Sequence, residues 1–171
     1  HTSSEITKKI IDYSKSINKI PLIANDSPGF ISNRILLPMI NEAIEALDSG
    51  VSDVKSIDGI MKLGMGHPMG PLQLADLIGL DVCKSILEIM HKGLNNEKYR
   101  PNKLLIDLVN KGNLGVKSGE GFYNYSDSKK AEVISKRFLK WLQKESKKYA
   151  ILLTKICLLY TSDAADDLWC V

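Results

Sequence analysis

Cysteine is scarce and scattered. The 171 residues hold only Cys83, Cys157 and Cys170, with no paired or metal-ligand spacing. That argues against a disulfide framework and against a cysteine-built metal site, and it makes a reduced, cytoplasmic setting the default. The three histidines, His1, His67 and His91, are equally dispersed, so no metal site is predicted. Long apolar runs are lacking too. None approaches the ~18 residues that would span a bilayer, and no signal peptide is recognisable, so no membrane partner is expected. A strong charge of one sign is also missing. The net charge is +3, and its basic excess sits in residues 127–156, where nine Lys/Arg face three Asp/Glu. Residues 157–171 add three Asp, leaving residues 1–126 balanced. The main part of the chain therefore lacks the basic footprint of a nucleic-acid binder. What is present is ordinary for a globular protein, 44% hydrophobic and 25% charged, and long enough to bury one domain or a little more.

Taken from the start, Thr2-x-x-Glu5 can form a capping box. Ile6, Ile10, Ile11 and Ile17 then make a helical stripe with Lys8, Lys9, Asp12 and Lys15 largely off it. Ile20 to Ala24 is a short apolar run suited to a strand, with Pro21 at its start or at an edge. One helix and one strand cannot make a sheet, so they read as the closing αβ unit of a domain whose earlier part is absent. The first residue, His rather than Met, points the same way.

Asp26, Ser27, Pro28 and Gly29 are turn formers, and Pro28 suits the first position of a new helix. From Phe30 the apolar residues recur at helical spacing, through Ile31, Ile35 and Met39 to Ile44 and Leu47. Asn33 sits one turn in, on a mostly apolar stretch, where a carboxamide needs hydrogen-bond partners. From the residues alone it reads as a structural Asn tying helix to loop. Asp48-Ser49-Gly50 stops this helix, and Ser52-Asp53 can cap a second one through about Lys62. Three Gly and two Pro between Gly64 and Pro71 predict a loop, with His67 a plain loop residue. A helix restarts near Pro71. Asp81 is expected to cap the next one, Asp76 to bond loop amides, and His91 to sit exposed near a helix C-terminus. A short helix from Lys103 to Val109 ends at Lys111-Gly112. The glycine-rich segment from Gly115 to Gly121 then closes onto Phe122, Tyr123 and Tyr125.

The stretch Asp26-Ser27-Pro28-Gly29-Phe30-x-x-Asn33-Arg34 resembles the junction between the two domains of the 3-hydroxyacyl-CoA dehydrogenases, including the bacterial 3-hydroxybutyryl-CoA dehydrogenases. Three further motifs agree in the family's order. They are Asp58-x-x-Met61-Lys62-x-Gly64-x-Gly66; His67-Pro68-Met69-Gly70-Pro71-x-x-Leu74-x-Asp76-x-x-Gly79-Leu80-Asp81; and Gly115-x-Lys117-Ser118-Gly119-Glu120-Gly121-Phe122-Tyr123-x-Tyr125.

The resemblance implies a mainly α chain. Residues 26–125 would be the helical C-terminal dehydrogenase domain. Residues 1–25 would be the last αβ unit of a truncated Rossmann-like NAD-binding domain. It implies an oxidoreductase moving a hydride between NAD or NADP and C3 of a short-chain 3-hydroxyacyl-CoA. The substrate partner would be an acyl-CoA, and a homodimer would form through the helical domain. It also implies that Asn33 serves catalysis and that Lys117 reaches the nicotinamide cofactor near its ribose. No Gly-x-Gly-x-x-Gly turn occurs in the chain: Gly64-x-Gly66 precedes His-Pro, and Gly119-x-Gly121 leads into aromatics. The main cofactor-binding domain, with the family's catalytic His and Glu, would then lie before residue 1, and the fragment alone would be inactive. Two alternatives stand beside this reading. One is a module of a multifunctional fatty-acid oxidation protein, and the other is a helical dimerisation module without chemistry.

Residues 126–156 read as a basic helical extension. Lys129 to Tyr149 would be amphipathic, with Ala131, Ile134, Phe138, Trp141 and Leu142 on one face. From Cys157 the string Cys-Leu-Leu-Tyr-Thr-Ser-Asp-Ala-Ala-Asp-Asp resembles the translation of a DNA adapter from library preparation, so residues 157–171 read as an adapter-derived tail.

Overall fold

The computed structural model describes residues 2–128 and 130–139. Six α-helices carry the fold. They are α1 (Ser4–Ser16), α2 (Ser32–Asp48), α3 (Val54–Gly64), α4 (Pro71–Ile78), α5 (Leu80–Leu94) and α6 (Lys103–Asn110). Short 3-10 turns occur at Glu97–Tyr99 and Val116–Ser118, and a small antiparallel pair joins β1 (Tyr123–Asn124) to β2 (Val133–Ile134). The mainly α expectation holds. No helix among the described residues is long and apolar enough to cross a membrane.

The core is built by two helices with the same apolar spacing. Leu37, Ile40, Ile44 and Leu47 form the buried stripe of α2, and Leu80, Cys83, Leu87 and Met90 form that of α5. Steps of three and four residues keep each stripe on one side of a 3.6-residue helix. The α2 helix packs on α4, α5 and α6, with α3 against α4. The aromatics Tyr99, Phe122 and Phe138 close the core, Phe122 and Phe138 with ring centroids 5.6 Å apart. Each fully buried apolar side chain of this size stabilises the fold by about 1.5–3 kcal/mol.

Helix ends follow local chemistry. Asp53 caps α3 as expected, its side chain accepting from Lys55 and Ser56 amides, and Pro71 opens α4. Asn102 caps α6, and Asn41 of α2 accepts its backbone amide at 2.9 Å.

Several expectations are corrected. The N-cap of α1 is Ser3, which accepts the Ile6 amide, so the Thr2–Glu5 box does not form. Ile20 to Ala24 forms no strand; Ile20, Leu22 and Ile23 are 89%, 90% and 74% exposed, with no neighbouring strand to complete a ladder. Helix α2 begins at Ser32, not Pro28, because Gly29 and Phe30 adopt positive φ (80° and 48°) that a right-handed helix cannot contain. The expected helix from Lys129 does not run through residues 130–135. There β2 pairs with β1, and Ser135 donates its amide to the Phe122 carbonyl and its hydroxyl to Glu120. Helical structure starts only at residue 136. Trp141, Leu142 and the tail from Cys157 lie outside the described residues.

Candidate functional site

Three groups of side chains carry the chemistry of this domain. The first is the turn into α2. Arg34 donates from Nη1 to Ser27 Oγ at 3.1 Å, fastening the turn to the helix it starts. Gly29 sits at φ 80°, and a Cβ there would lie 2.5 Å from Met90 Sδ, so a larger residue would strain the turn and displace the methionine side chain. An open groove of about 500 Å³ runs beside it, lined by Ser27, Phe30, Arg34, Ile35, Lys98 and Tyr99 among others. Burial raises the Tyr99 hydroxyl's pKa, but hydrogen bonds to Lys98 and Arg34 outweigh it and leave the value lowered. Asn33 is half-buried in the first turn of α2. Its carboxamide makes no hydrogen bond among the described residues, so it does not tie helix to loop as the residues alone suggested.

The second group is a pair of buried carboxylates. Asp58, on the buried face of α3, accepts the Leu72 amide at 2.8 Å, the Gln73 amide at 2.9 Å and the Tyr123 hydroxyl at 2.7 Å. It thus caps α4 from another helix. A Cβ on Gly70 would collide with this carboxylate. Asp76, on α4, accepts the Phe122 amide at 3.0 Å, the Tyr123 amide at 2.9 Å and the Tyr125 hydroxyl at 3.0 Å. The expectation that Asp76 bonds loop amides is met. Burial raises the Asp58 pKa, partly offset by the Tyr123 hydroxyl and the two amides. Burial likewise pushes Asp76 up to about 7, against the pull of the Tyr123 and Phe122 amides and the Tyr125 hydroxyl, with the nearby Asp58 charge adding to the rise. Burial first, and then these carboxylates, raise both tyrosine hydroxyls. Together the four side chains clamp the segment 115–125 onto α3 and α4. The roles of Asp58 and Tyr123 were missed from the sequence. A signal existed: Val54, Ile57, Asp58 and Met61 share one helical stripe, which places a carboxylate among apolar positions.

The third group is Lys117 with Asp81. Segment 115–121 is held by Gly115 (φ 90°), whose backbone rests on that of Asp76 so closely that a Cβ would collide with it. Lys117 Nζ lies 2.6 Å from Asp81 Oδ2 and 2.5 Å from Oδ1. The Lys117 ammonium holds the Asp81 carboxyl below the usual carboxylate range. Asp81 therefore does not cap α5 as expected; α5 begins at Leu80, with Gly79 at its N-cap position and no side-chain cap. His91 lies in the last turn of α5 as expected, but half-buried and 3.0 Å from Glu97 rather than exposed and unpaired. The Cys83 thiol is buried and pushed up to about 12, which makes it a core residue rather than a nucleophile. No group of three or more His, Cys, Asp or Glu among the described residues could hold a metal ion.

Asn33 and Lys117 are not brought together by this domain. The turn beside Asn33 meets α5 near Met90, and Lys117 meets α5 at Asp81. Those contacts are about 14 Å apart along the helix at 1.5 Å per residue.

The buried carboxylates of this helical domain pin the glycine-flanked segment that carries Lys117, and Asn33 stands at its entry turn with no side-chain hydrogen bond among the described residues. Residues 29–125 match the family model for the C-terminal domain of 3-hydroxyacyl-CoA dehydrogenase, and the chain belongs to that family. It is 56% identical over 124 residues to the protein of Deinococcus radiodurans named probable 3-hydroxybutyryl-CoA dehydrogenase, covering 72% of this chain and 45% of that one. It is 42% identical over 125 residues to human mitochondrial hydroxyacyl-coenzyme A dehydrogenase, covering 72% and 40%. The crystal structure of (S)-3-hydroxybutyryl-CoA dehydrogenase from Ralstonia eutropha superimposes with a TM-score of 0.72 at 44% identity, over 74% of this chain and 44% of that one. The chain thus spans less than half the length of these relatives.

Proposed function

We propose that this chain supplies the helical part of an NAD(P)-dependent dehydrogenase. Its substrate would be a short-chain 3-hydroxyacyl-CoA of the 3-hydroxybutyryl-CoA/acetoacetyl-CoA type. The observation that carries this reading is the 56% identity over 124 residues to a probable 3-hydroxybutyryl-CoA dehydrogenase. Residues 1–25 fit the role of the closing piece of a dinucleotide-binding unit. None of α1 is buried, and its apolar face of Ile6, Ile10 and Tyr13 is exposed, as a helix docking on a further unit would be.

A nicotinamide cofactor, when bound, would supply the hydride chemistry at substrate C3. The residues of this chain fit only an edge of such a cofactor. Lys117 offers an N–H donor beside glycines that allow close approach, and the chain contains no phosphate-cradling turn. Asn33 has a carboxamide whose donors and acceptor are unspent among the described residues, which suits it to hold a substrate oxygen or a catalytic side chain in line. The proton acceptor for the C3 hydroxyl is a side chain supplied by the dinucleotide-binding unit. Exposed apolar residues on α3, Ile60 and Leu63, with Met65 just beyond, suit a homodimer contact through the helical domain.

The test joins this domain to the dinucleotide-binding unit of the Deinococcus radiodurans relative and follows NADH oxidation with acetoacetyl-CoA. Turnover is expected from the chimera and not from the 171-residue chain alone. Turnover by the chain alone, or a folded chimera that is inactive, would overturn the proposal.

A further inference from the structure

The Lys117–Asp81 pair joins residues 36 positions apart. We infer that Asp81 is a positioning residue for Lys117, fixing the ammonium for the cofactor contact that the family resemblance implies for that lysine. This inference rests on the dehydrogenase reading above.

Three observations carry it. First, the pair is half-exposed rather than buried, with side-chain exposures of 46% for Lys117 and 38% for Asp81. A surface ion pair of this kind contributes little to stability, so folding alone does not account for it. Second, space is reserved for it. Gly79 sits at φ 102°, and a Cβ there would lie 3.0 Å from Asp81 Oδ1 and 3.1 Å from Lys117 Nζ. Third, the backbone that carries Lys117 is already pinned. Asp76 holds the amides of Phe122 and Tyr123, and Gly115 donates its amide to the Glu120 carbonyl. What is left free is the lysine's own four-carbon stem, and Asp81 is the group that restrains it.

The count of donors agrees with the contact near the ribose that the family resemblance implies for Lys117. A lysine ammonium has three N–H groups and no acceptor. Asp81 Oδ2 accepts one of them, which leaves two for other acceptors. With the carboxylate beside it, the ammonium has no net charge to offer a phosphate, and the carboxylate would repel one. A fixed N–H suits a neutral acceptor such as a ribose hydroxyl. Ordering the stem in advance lowers the entropy that cofactor binding must otherwise remove.

The test uses Asp81→Asn, Lys117→Met, the double variant and Asp81→Glu. In the 171-residue chain labelled with 15N-lysine, the Lys117 ammonium signal should be protected from solvent exchange, and that protection should vanish in Asp81→Asn. In the chimera, NADH Kd by fluorescence titration and NADH KM should rise about tenfold in Asp81→Asn, the scale of one hydrogen bond. Acetoacetyl-CoA KM should stay within twofold. Lys117→Met should match this rise, the double variant should add nothing further, and Asp81→Glu should recover part of the loss. An Asp81→Asn variant with lowered Tm and unchanged NADH KM would make the pair merely structural and overturn the inference. A lowered NADH KM would overturn it as well, since Asp81 would then be sequestering the lysine. A folded wild-type chimera without turnover would instead bring down the dehydrogenase reading, and the inference with it.

Discussion

Asn33 and Asp76 are both polar residues among apolar neighbours, yet they use their polarity in opposite ways. Asp76 spends its acceptors on two amides and a hydroxyl within the fold. Asn33 spends nothing among the described residues, although it sits half-buried at a helix entry. That unspent carboxamide is what the catalytic role proposed for Asn33 would use. In the chimeric enzyme Asn33→Ala should lower kcat far more than it raises KM. Loss of one positioned hydrogen bond acts chiefly in the transition state, at about 2–4 kcal/mol, or about thirty- to a thousand-fold in rate. Melting temperature and steady-state kinetics on one preparation check this. A destabilised variant with normal kcat would return Asn33 to a structural role.

At the scale of the element, segment 115–125 is the informative one. It has almost no regular structure, only the 3-10 turn Val116–Ser118 and the start of β1. Its order comes from Asp58 and Asp76, which receive its amides and tyrosine hydroxyls. This dependence has a pH signature. The folded-state pKa of Asp76 is raised from 3.8 to about 7, so the folded state binds a proton that the unfolded chain has lost between those values. The stabilising contribution is therefore complete below about pH 4 and is lost as pH rises toward 7, a change of up to roughly 4 kcal/mol. Melting temperatures from pH 4 to pH 8 should show that decline in the wild-type chain. Asp76→Asn should be less stable at acid pH, where an amide replaces an acceptor of backbone N–H groups, and should lack the Asp76 part of the slope. Identical slopes in the two proteins would show that Asp76 is not the titrating group.

Across the whole molecule, apolar surface is left uncovered on two sides. The α1 face shows Ile6, Ile10 and Tyr13, and the α3 end shows Ile60, Leu63 and Met65. Neither is a single stray residue, and patches of this kind mark contact sites. The chain is expected to self-associate in solution, with a two-fold pairing through the helical domain the simplest closed arrangement. Sedimentation velocity from 1 to 100 micromolar, a range chosen on the order of typical specific affinities, should show a species heavier than the monomer. A clean monomer throughout would count against the dimer. The Ile60→Glu variant should shift the distribution toward monomer while leaving the melting temperature nearly unchanged, because that side chain is exposed.

The sequence by itself determined the core helices, several of their breaks and the family. Those features are contiguous: apolar residues at steps of three and four in α2 and α5, Asp53 before α3, Pro71 opening α4, and four motifs in order. It also placed Asp76 against loop amides. It did not determine where a capable residue finds its partner. Ile20 to Ala24 has strand composition but no strand to pair with, and Ala131 to Phe138 has helical spacing but is drawn partly into β2 by the edge of β1. The tertiary structure alone joined Tyr123 to Asp58 across 65 positions and Lys117 to Asp81 across 36. Local patterns express the preferences of neighbouring residues, which any window of sequence contains. Desolvation and pairing exist only once helices have packed, and they decided which carboxylates became a clamp and which lysine met a carboxylate.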